Sequence, residues 1–182
     1  QKKNINISKK EEIGKLAADY IENGDTIFIA ASTTNECLLK HIKNKRIRII
    51  TNSFYIFEQY KGNKDFELVL TGGEWRERSG AFIGEITDRI LAEIKVDKSF
   101  IGANGIKDNN VTNSNKEEAS LQKIIMGNSQ KNYVLIDSNK FDLKDLYTFY
   151  QTDKIDGIIT DSGLSGEIKK KYEKYTKIIN TI

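Results

Sequence analysis

The sequence predicts an α/β fold: a mostly parallel sheet with helices on both faces, in three layers. Three observations carry this. Short apolar runs rich in β-branched residues recur along the 182 residues, each bounded by polar residues or glycine. Segments with a helical period lie between them. Proline is absent where average usage would give about nine, which suits dense regular structure.

In chain order, Ile13, Leu16, Ala17, Tyr20 and Ile21 make one face of a first helix, and Ser8 with Glu11 reads as its capping box. Gly24 sits where that helix should end. Strands are expected at 26–29, 47–50, 66–70, 98–101, 133–136, 157–160 and 177–179. Continuous apolar runs of this length suit strands covered on both faces. A second helix is expected from about Thr34 through Cys37, Leu38, His41 and Ile42. Phe82, Ile83, Ile86, Ile90, Leu91 and Ile94 mark another, 119–126 the next and 168–172 the last. Regular alternation of strand and helix means βαβ units and a parallel sheet.

Composition narrows the function classes. With 29 basic and 26 acidic residues the net charge is only +3, and Lys169-Lys170-Lys171, the one basic run, reads as a solvated helix face rather than a nucleic-acid surface. A single Cys and a single His leave no internal disulfide, no iron–sulfur cluster and no His/Cys zinc site. No apolar run approaches the roughly 18 residues of a membrane span, and no signal peptide opens the chain, so a cytoplasmic protein is expected. The first residue is Gln, so a piece of a longer protein is expected, folded as one domain over 1–182.

A parallel sheet places its ligand beyond the carboxyl ends of its strands. The first strand exits into Ala30-Ala31-Ser32-Thr33-Thr34-Asn35, small and hydroxylated residues whose N–H groups could hold an anion, or serve as an ordinary N-cap. No G-x-G-x-x-G occurs there. Thr51-Asn52-Ser53 follows the second strand, and Thr71-Gly72-Gly73 with Arg76, Arg78 and Ser79 follows the third. The fourth exits into Gly102-Ala103-Asn104-Gly105, ahead of a polar loop and the helix carrying Glu117 and Glu118. The fifth ends in Asp137-Ser138-Asn139-Lys140-Phe141 and the sixth in Thr160-Asp161-Ser162. With Arg76, Lys98 and Lys140 as cations, such a rim suits a small, polyhydroxylated, anionic ligand, provided the turns converge. Cys37 and His41 stand four apart on one helix and make no catalytic dyad without a third group. Cys37 is expected as a small buried hydrophobe and His41 at the surface.

As a set, Ser32-Thr33-Thr34, Thr51-Asn52-Ser53, Gly72-Gly73 with Arg76 and Ser79, Gly102-Ala103-Asn104-Gly105, Glu118 and Asp137-Ser138-Asn139-Lys140-Phe141 resembles the effector-binding domain of the DeoR family of bacterial transcriptional regulators. The resemblance runs from about Glu11 to Asp161. Tyr147-Thr148-Phe149-Tyr150 and 155–161 look most like its lactose phosphotransferase system branch. It implies a fold similar to sugar-phosphate isomerases, used for sensing, with no cofactor and no metal. It also implies a phosphorylated sugar effector, tagatose 6-phosphate or a close ketose or aldose 6-phosphate. Operator DNA would be bound by an N-terminal helix-turn-helix domain, of which this chain carries no signature, and a homodimer or homotetramer is implied. Carried over by residue, Ser32, Thr33 and Thr34 would cradle the phosphate, and Thr51, Asn52, Ser53, Gly72, Gly73 and Arg76 would line the pocket. Asn104, Glu118 and Lys140 would meet hydroxyls or phosphate, with Lys98 nearby. The family often has Asp where this chain has Ala30 and Gly where it has Ser32.

Two other readings compete. An active sugar-phosphate isomerase would need an acid–base pair, for which Glu118 and Asp137 are the rim carboxylates. A nucleotide-binding domain would need a Gly-rich or Walker sequence, and neither is present.

Overall fold

A computed structural model describes residues 6–181 of the chain. The elements run α1 (Ile7–Ala18), β1 (Thr26–Ile29), β2 (Ile47–Thr51), α2 (Phe54–Tyr60), β3 (Phe66–Leu70), β4 (Glu74–Arg76), β5 (Ala81–Ile83) and α3 (Glu85–Glu93). There follow β6 (Val96–Gly102), β7 (Gly105–Lys107), β8 (Asn110–Asn113), α4 (Lys116–Gly127), β9 (Ser129–Leu135), β10 (Tyr147–Tyr150), β11 (Gly157–Ile159), α5 (Gly166–Glu173) and β12 (Ile178–Ile179). The seven apolar runs all enter one sheet of order β12-β11-β9-β6-β1-β2-β3. Every neighbouring pair in it is parallel. Six of the seven strands face two cores, and the edge strand β3 packs Phe66 and Leu68 on one side while Glu67 and Val69 are exposed. Phe28, Ile50, Ile101, Val134 and Ile158 pack on one side with Leu91, Leu121, Ile125 and Tyr172 from α3, α4 and α5. Their neighbours Ile27, Ile29, Ile49, Phe100, Leu135 and Ile159 pack on the other with Ile13, Leu16 and Ala17 of α1 and Ile56 of α2. This period-2 split of continuous apolar runs is why the strands showed no polar face in the sequence.

Five short strands were not anticipated. β4 and β5 form an antiparallel hairpin, and β7, β8 and β10 form a three-stranded antiparallel sheet. At three or four residues each, they carry too little pattern to stand out from loops. Phe82 and Ile83, expected in a helix, belong to β5; the chain turns at Gly84 (φ 88°), and α3 begins only at Glu85. The expected helix from Thr34 is instead two single 3₁₀ turns, Asn35–Cys37 and Leu39–His41, with i→i+3 bonds such as Cys37 N–H to the Thr34 carbonyl. At α1 the chain enters through Asn6 in a left-handed conformation, and Ser8 lies inside the helix. Glu11 is drawn instead to Lys40 and His41.

Lys98 requires a correction. It lies near the amino end of β6, opposite Ile27, and its Nζ donates to Asp25 (2.7 Å) and Glu22 (3.1 Å), just before β1. Burial would lower its pKa, but the two carboxylates outweigh that and raise it. Four residues separate it from Gly102, about 13 Å at the usual rise per residue, so it stands at the edge opposite the candidate site. Both Lys98 and Asp25 are buried. The Lys98→Met variant is expected to lose about 3 kcal/mol in urea unfolding by leaving Asp25 unpaired, with sugar-phosphate binding unchanged in titration calorimetry.

Candidate functional site

β1 continues outward through β2 to β3, and the chain then crosses to β6 on the other flank of β1. The gap beyond the carboxyl ends of β1 and β6 is therefore the topological switch point, where open parallel sheets bind ligands. Asn35, fully buried, ties its two walls together: its Nδ2 donates to the carbonyls of Ala30 (2.8 Å) and Phe100 (3.1 Å). Ser32 Oγ accepts from the N–H groups of Thr34 and Asn35, both at 3.2 Å, and caps the turn. Ser32 also leans over Gly102, where any Cβ would lie 2.9 Å from the Ser32 side chain. A hydroxyl at position 32 and a missing side chain at 102 are thus fitted to one another.

The three residues after β2 are building material. Asn52 Oδ1 accepts from Ala31 N–H (2.9 Å) and its Nδ2 donates to the Phe82 carbonyl (3.0 Å), joining the β1 turn to the β4–β5 hairpin. Thr51 Oγ1 donates to the Ile29 carbonyl and accepts from Ser53 N–H. Ser53 caps α2 through Ile56 N–H. All three are at most 2% exposed, so these side chains hold the rim from beneath rather than line it. Gly72 and Gly73 both have positive φ, and a Cβ at Gly73 would collide with Thr87, whose hydroxyl donates to the Gly72 carbonyl. The pair bends the chain so that the hairpin lands on α3.

Four groups stand on the rim itself. Thr33 is half-buried in the β1 turn. Arg76 at the end of β4 lies 3.5 Å from Oε1 of Glu118 in the first turn of α4, and that oxygen is buried with no hydrogen bond. Asn104 donates to Ser114 Oγ (2.8 Å) and Asp145 Oδ2 (2.9 Å). Lys140 closes the turn Ser138–Lys140 after β9. That turn is fixed by a residue whose role the sequence did not reveal. Asp161, 1% exposed, accepts from Ser138 N–H (2.7 Å), Ser138 Oγ (2.8 Å) and Gly163 N–H (3.1 Å), with Lys9 Nζ 3.6 Å away. Burial would raise its pKa; the bonds from Ser138, the Lys9 charge and Gly163 outweigh that and hold it below the ordinary carboxylate range. Asn35 and Asp161 were visible only as loop residues beside strand ends, and one sequence carries no signal of their burial.

Other candidates are set apart from the rim. Cys37 is half-buried, not enclosed, and burial followed by the Glu11 charge pushes its thiol up to about 11. It is protonated at neutral pH and no nucleophile. His41 is half-buried as well, its Nε2 3.3 Å from Glu11. His41 lines a groove of about 320 Å³ with Glu11, Lys15 and Leu16. A second groove of about 450 Å³ runs between α3 and α4 past Asp88, Lys116 and Ser120. Neither groove takes in a residue of the switch-point rim. Among the described residues, no group of three or more His, Cys, Asp or Glu is placed to hold a metal, and no helix is long and apolar enough to cross a membrane.

Residues 5–162 match the DeoR C terminal sensor domain. The chain belongs to that family. The lactose phosphotransferase system repressor of Streptococcus mutans is 37% identical over 182 residues, covering 99% of this sensor-domain chain and 72% of the repressor. In fold, the chain resembles ribose 5-phosphate isomerase A from Methanocaldococcus jannaschii, with a TM-score of 0.54, 20% identity and 75% of this chain aligned to 55% of that one. It equally resembles the eIF-2B translation initiation factor of Pyrococcus horikoshii OT3, with a TM-score of 0.59, 17% identity and 84% aligned to 62%. The fold of the sensor domain is thus shared with an isomerase and with a translation factor, and function has to be argued from the rim.

The depressed pKa of Asp161 gives a pH signature. Its contribution to stability is complete above the unfolded value of about 3.9 and is lost as pH falls through the lower folded value. Urea midpoints compared between the parent and Asp161→Asn should differ at pH 7, with the gap closing below about pH 4.

Proposed function

We propose that this domain, 1–182, is the effector-sensing part of a cytoplasmic bacterial transcriptional repressor, and that its effector is a phosphorylated sugar. Tagatose 6-phosphate, or a close ketose or aldose 6-phosphate, is the candidate. The single observation that supports this is the hydroxyl-rich turn Ser32-Thr33-Thr34 at the switch point, tied through Asn52 to the hairpin that bears Arg76, with the Lys140 turn following β9, the strand beside β6. The phosphate is assigned to the hydroxyls of the β1 turn and to Arg76 and Lys140, which supply donors and positive charge. Sugar hydroxyls are assigned to Glu118, whose buried Oε1 faces Arg76 at 3.5 Å without a hydrogen bond, and to Asn104. The relationship to lactose phosphotransferase system repressors supports the regulatory reading. Operator DNA would be gripped by a preceding domain, in a homodimer or homotetramer.

The isomerase reading would use Glu118 and Asp137 as acid and base. Against it, Asp137 already caps its own turn by accepting from Asn139 N–H (3.0 Å), and Glu118 is engaged by Arg76 at 3.5 Å.

Thermal and urea denaturation with tagatose 6-phosphate test the proposal. At 100 times the dissociation constant, the ligand should add about 2.7 kcal/mol. Arg76→Ala and Lys140→Ala should each weaken binding at least about tenfold, or 1.4 kcal/mol, at unchanged unfolding midpoints without ligand. Absence of stabilisation by any hexose or pentose phosphate would overturn the reading. Turnover of an aldose to a ketose phosphate, lost in Glu118→Gln, would replace it with the isomerase.

A further inference from the structure

α1 runs antiparallel to the sheet. Lys45, just ahead of β2 at the amino edge, donates to the carbonyls of Ala18 and Ile21, so the end of α1 lies at that edge. Its first turns lie at the carboxyl edge and touch three of the turns there. Lys9 Nζ donates to Ser138 Oγ (2.8 Å) and lies 3.6 Å from Asp161, in the turn that carries Lys140. Glu12 Oε1 accepts from Ser162 N–H (2.8 Å) after β11. Gly14 lies against the turn after β1, where a Cβ would come within 2.6 Å of the Cys37 carbonyl oxygen. Between these points Lys10 is buried within the fields of Asp137, Glu36 and Lys140. One helix is thereby pinned to the turns that carry two of the groups assigned to the phosphate, and it is pinned by its own side chains rather than by shared core packing alone.

We propose that α1 is the output element of the sensor: the Lys9–Ser138–Asp161 tie and the Gly14–Cys37 contact transmit occupancy of the switch-point rim to the start of the domain. This deepens the sugar-phosphate reading and rests on it. A phosphate drawing Lys140 and the Ser32–Thr34 turn together moves Ser138 and Cys37 with them. Lys9 and Gly14 follow, because the first is bonded to that turn and the second has no slack. A ligand shifts this arrangement only by preferring one position of the turns over another. Anything attached ahead of Asn6 would meet that motion at its point of entry.

The test is amide hydrogen exchange on this chain, with and without saturating tagatose 6-phosphate, read at 10–18 in α1 and at 166–173 in α5 as a reference for uniform stabilisation. Binding, followed by calorimetry, should slow α1 amides about tenfold more than those of α5. The Lys9→Met variant should keep its affinity within about threefold while losing most of that excess. Gly14→Ala should act in the same direction, and Lys9→Met decides the matter if Gly14→Ala does not fold. Binding with equal slowing in both helices, or an undiminished excess in Lys9→Met, overturns the coupling and leaves the sugar-phosphate reading standing. Absence of binding overturns both.

Discussion

The molecule depends on how two adjacent parallel strands part. At the carboxyl ends of β1 and β6 the chain leaves in opposite directions, beyond a last bond between them from Ala30 N–H to the Phe100 carbonyl (3.0 Å). The Asn35 amide bridges the two strands there, donating to the carbonyls of Ala30 and Phe100 from a fully buried position. The segment after β1 runs as single 3₁₀ turns, and the Ser32 hydroxyl accepts from the N–H groups of Thr34 and Asn35 where the first begins.

From that point the rim assembles outward by hydrogen bonds between turns. Asn52 carries the β1 turn to the hairpin, Arg76 carries the hairpin to α4, and Asp161 fixes the turn of Lys140. The polar residues at the strand ends therefore divide into two kinds. Thr51, Asn52, Ser53 and Asp161 are buried and spend their donors and acceptors on the protein; Thr33, Arg76, Asn104, Glu118 and Lys140 keep part of their surface in solvent. A buried, satisfied network of this kind holds geometry because each unsatisfied member would cost free energy.

Much of this was legible in the sequence. Thr26-Ile27-Phe28-Ile29 became a strand with the expected bounds, since a strand covered on both faces is apolar whatever its neighbours are, and Phe66-Glu67-Leu68-Val69-Leu70 did so at the sheet edge with Glu67 and Val69 exposed. The polar character of the turns was legible too. Which of those turns were scaffold was not: Asn52 and Asn104 are the same residue type after similar strands, and only their burial differs. Lys98 shows the limit from the other side. Counted among the rim cations from the sequence, it lies near the start of β6, which places it with Asp25 at the far edge. Phe82 and Ile83 matched a helical period, and the left-handed Gly84 with the pairing to Trp75 made them strand.

By itself the sequence determined the elements that local pattern specifies: the seven central strands, α4 and α5, and the family that the ordered set of turn motifs points to. The tertiary structure alone decided the strand order and hence the switch point, the buried roles of Asn35 and Asp161, and the reach of α1 across the carboxyl edge. The physical reason is range. Apolar period and turn chemistry act over a few residues, whereas Lys9 meets Ser138 across 129 positions of chain, a contact that exists only once the sheet has set its order.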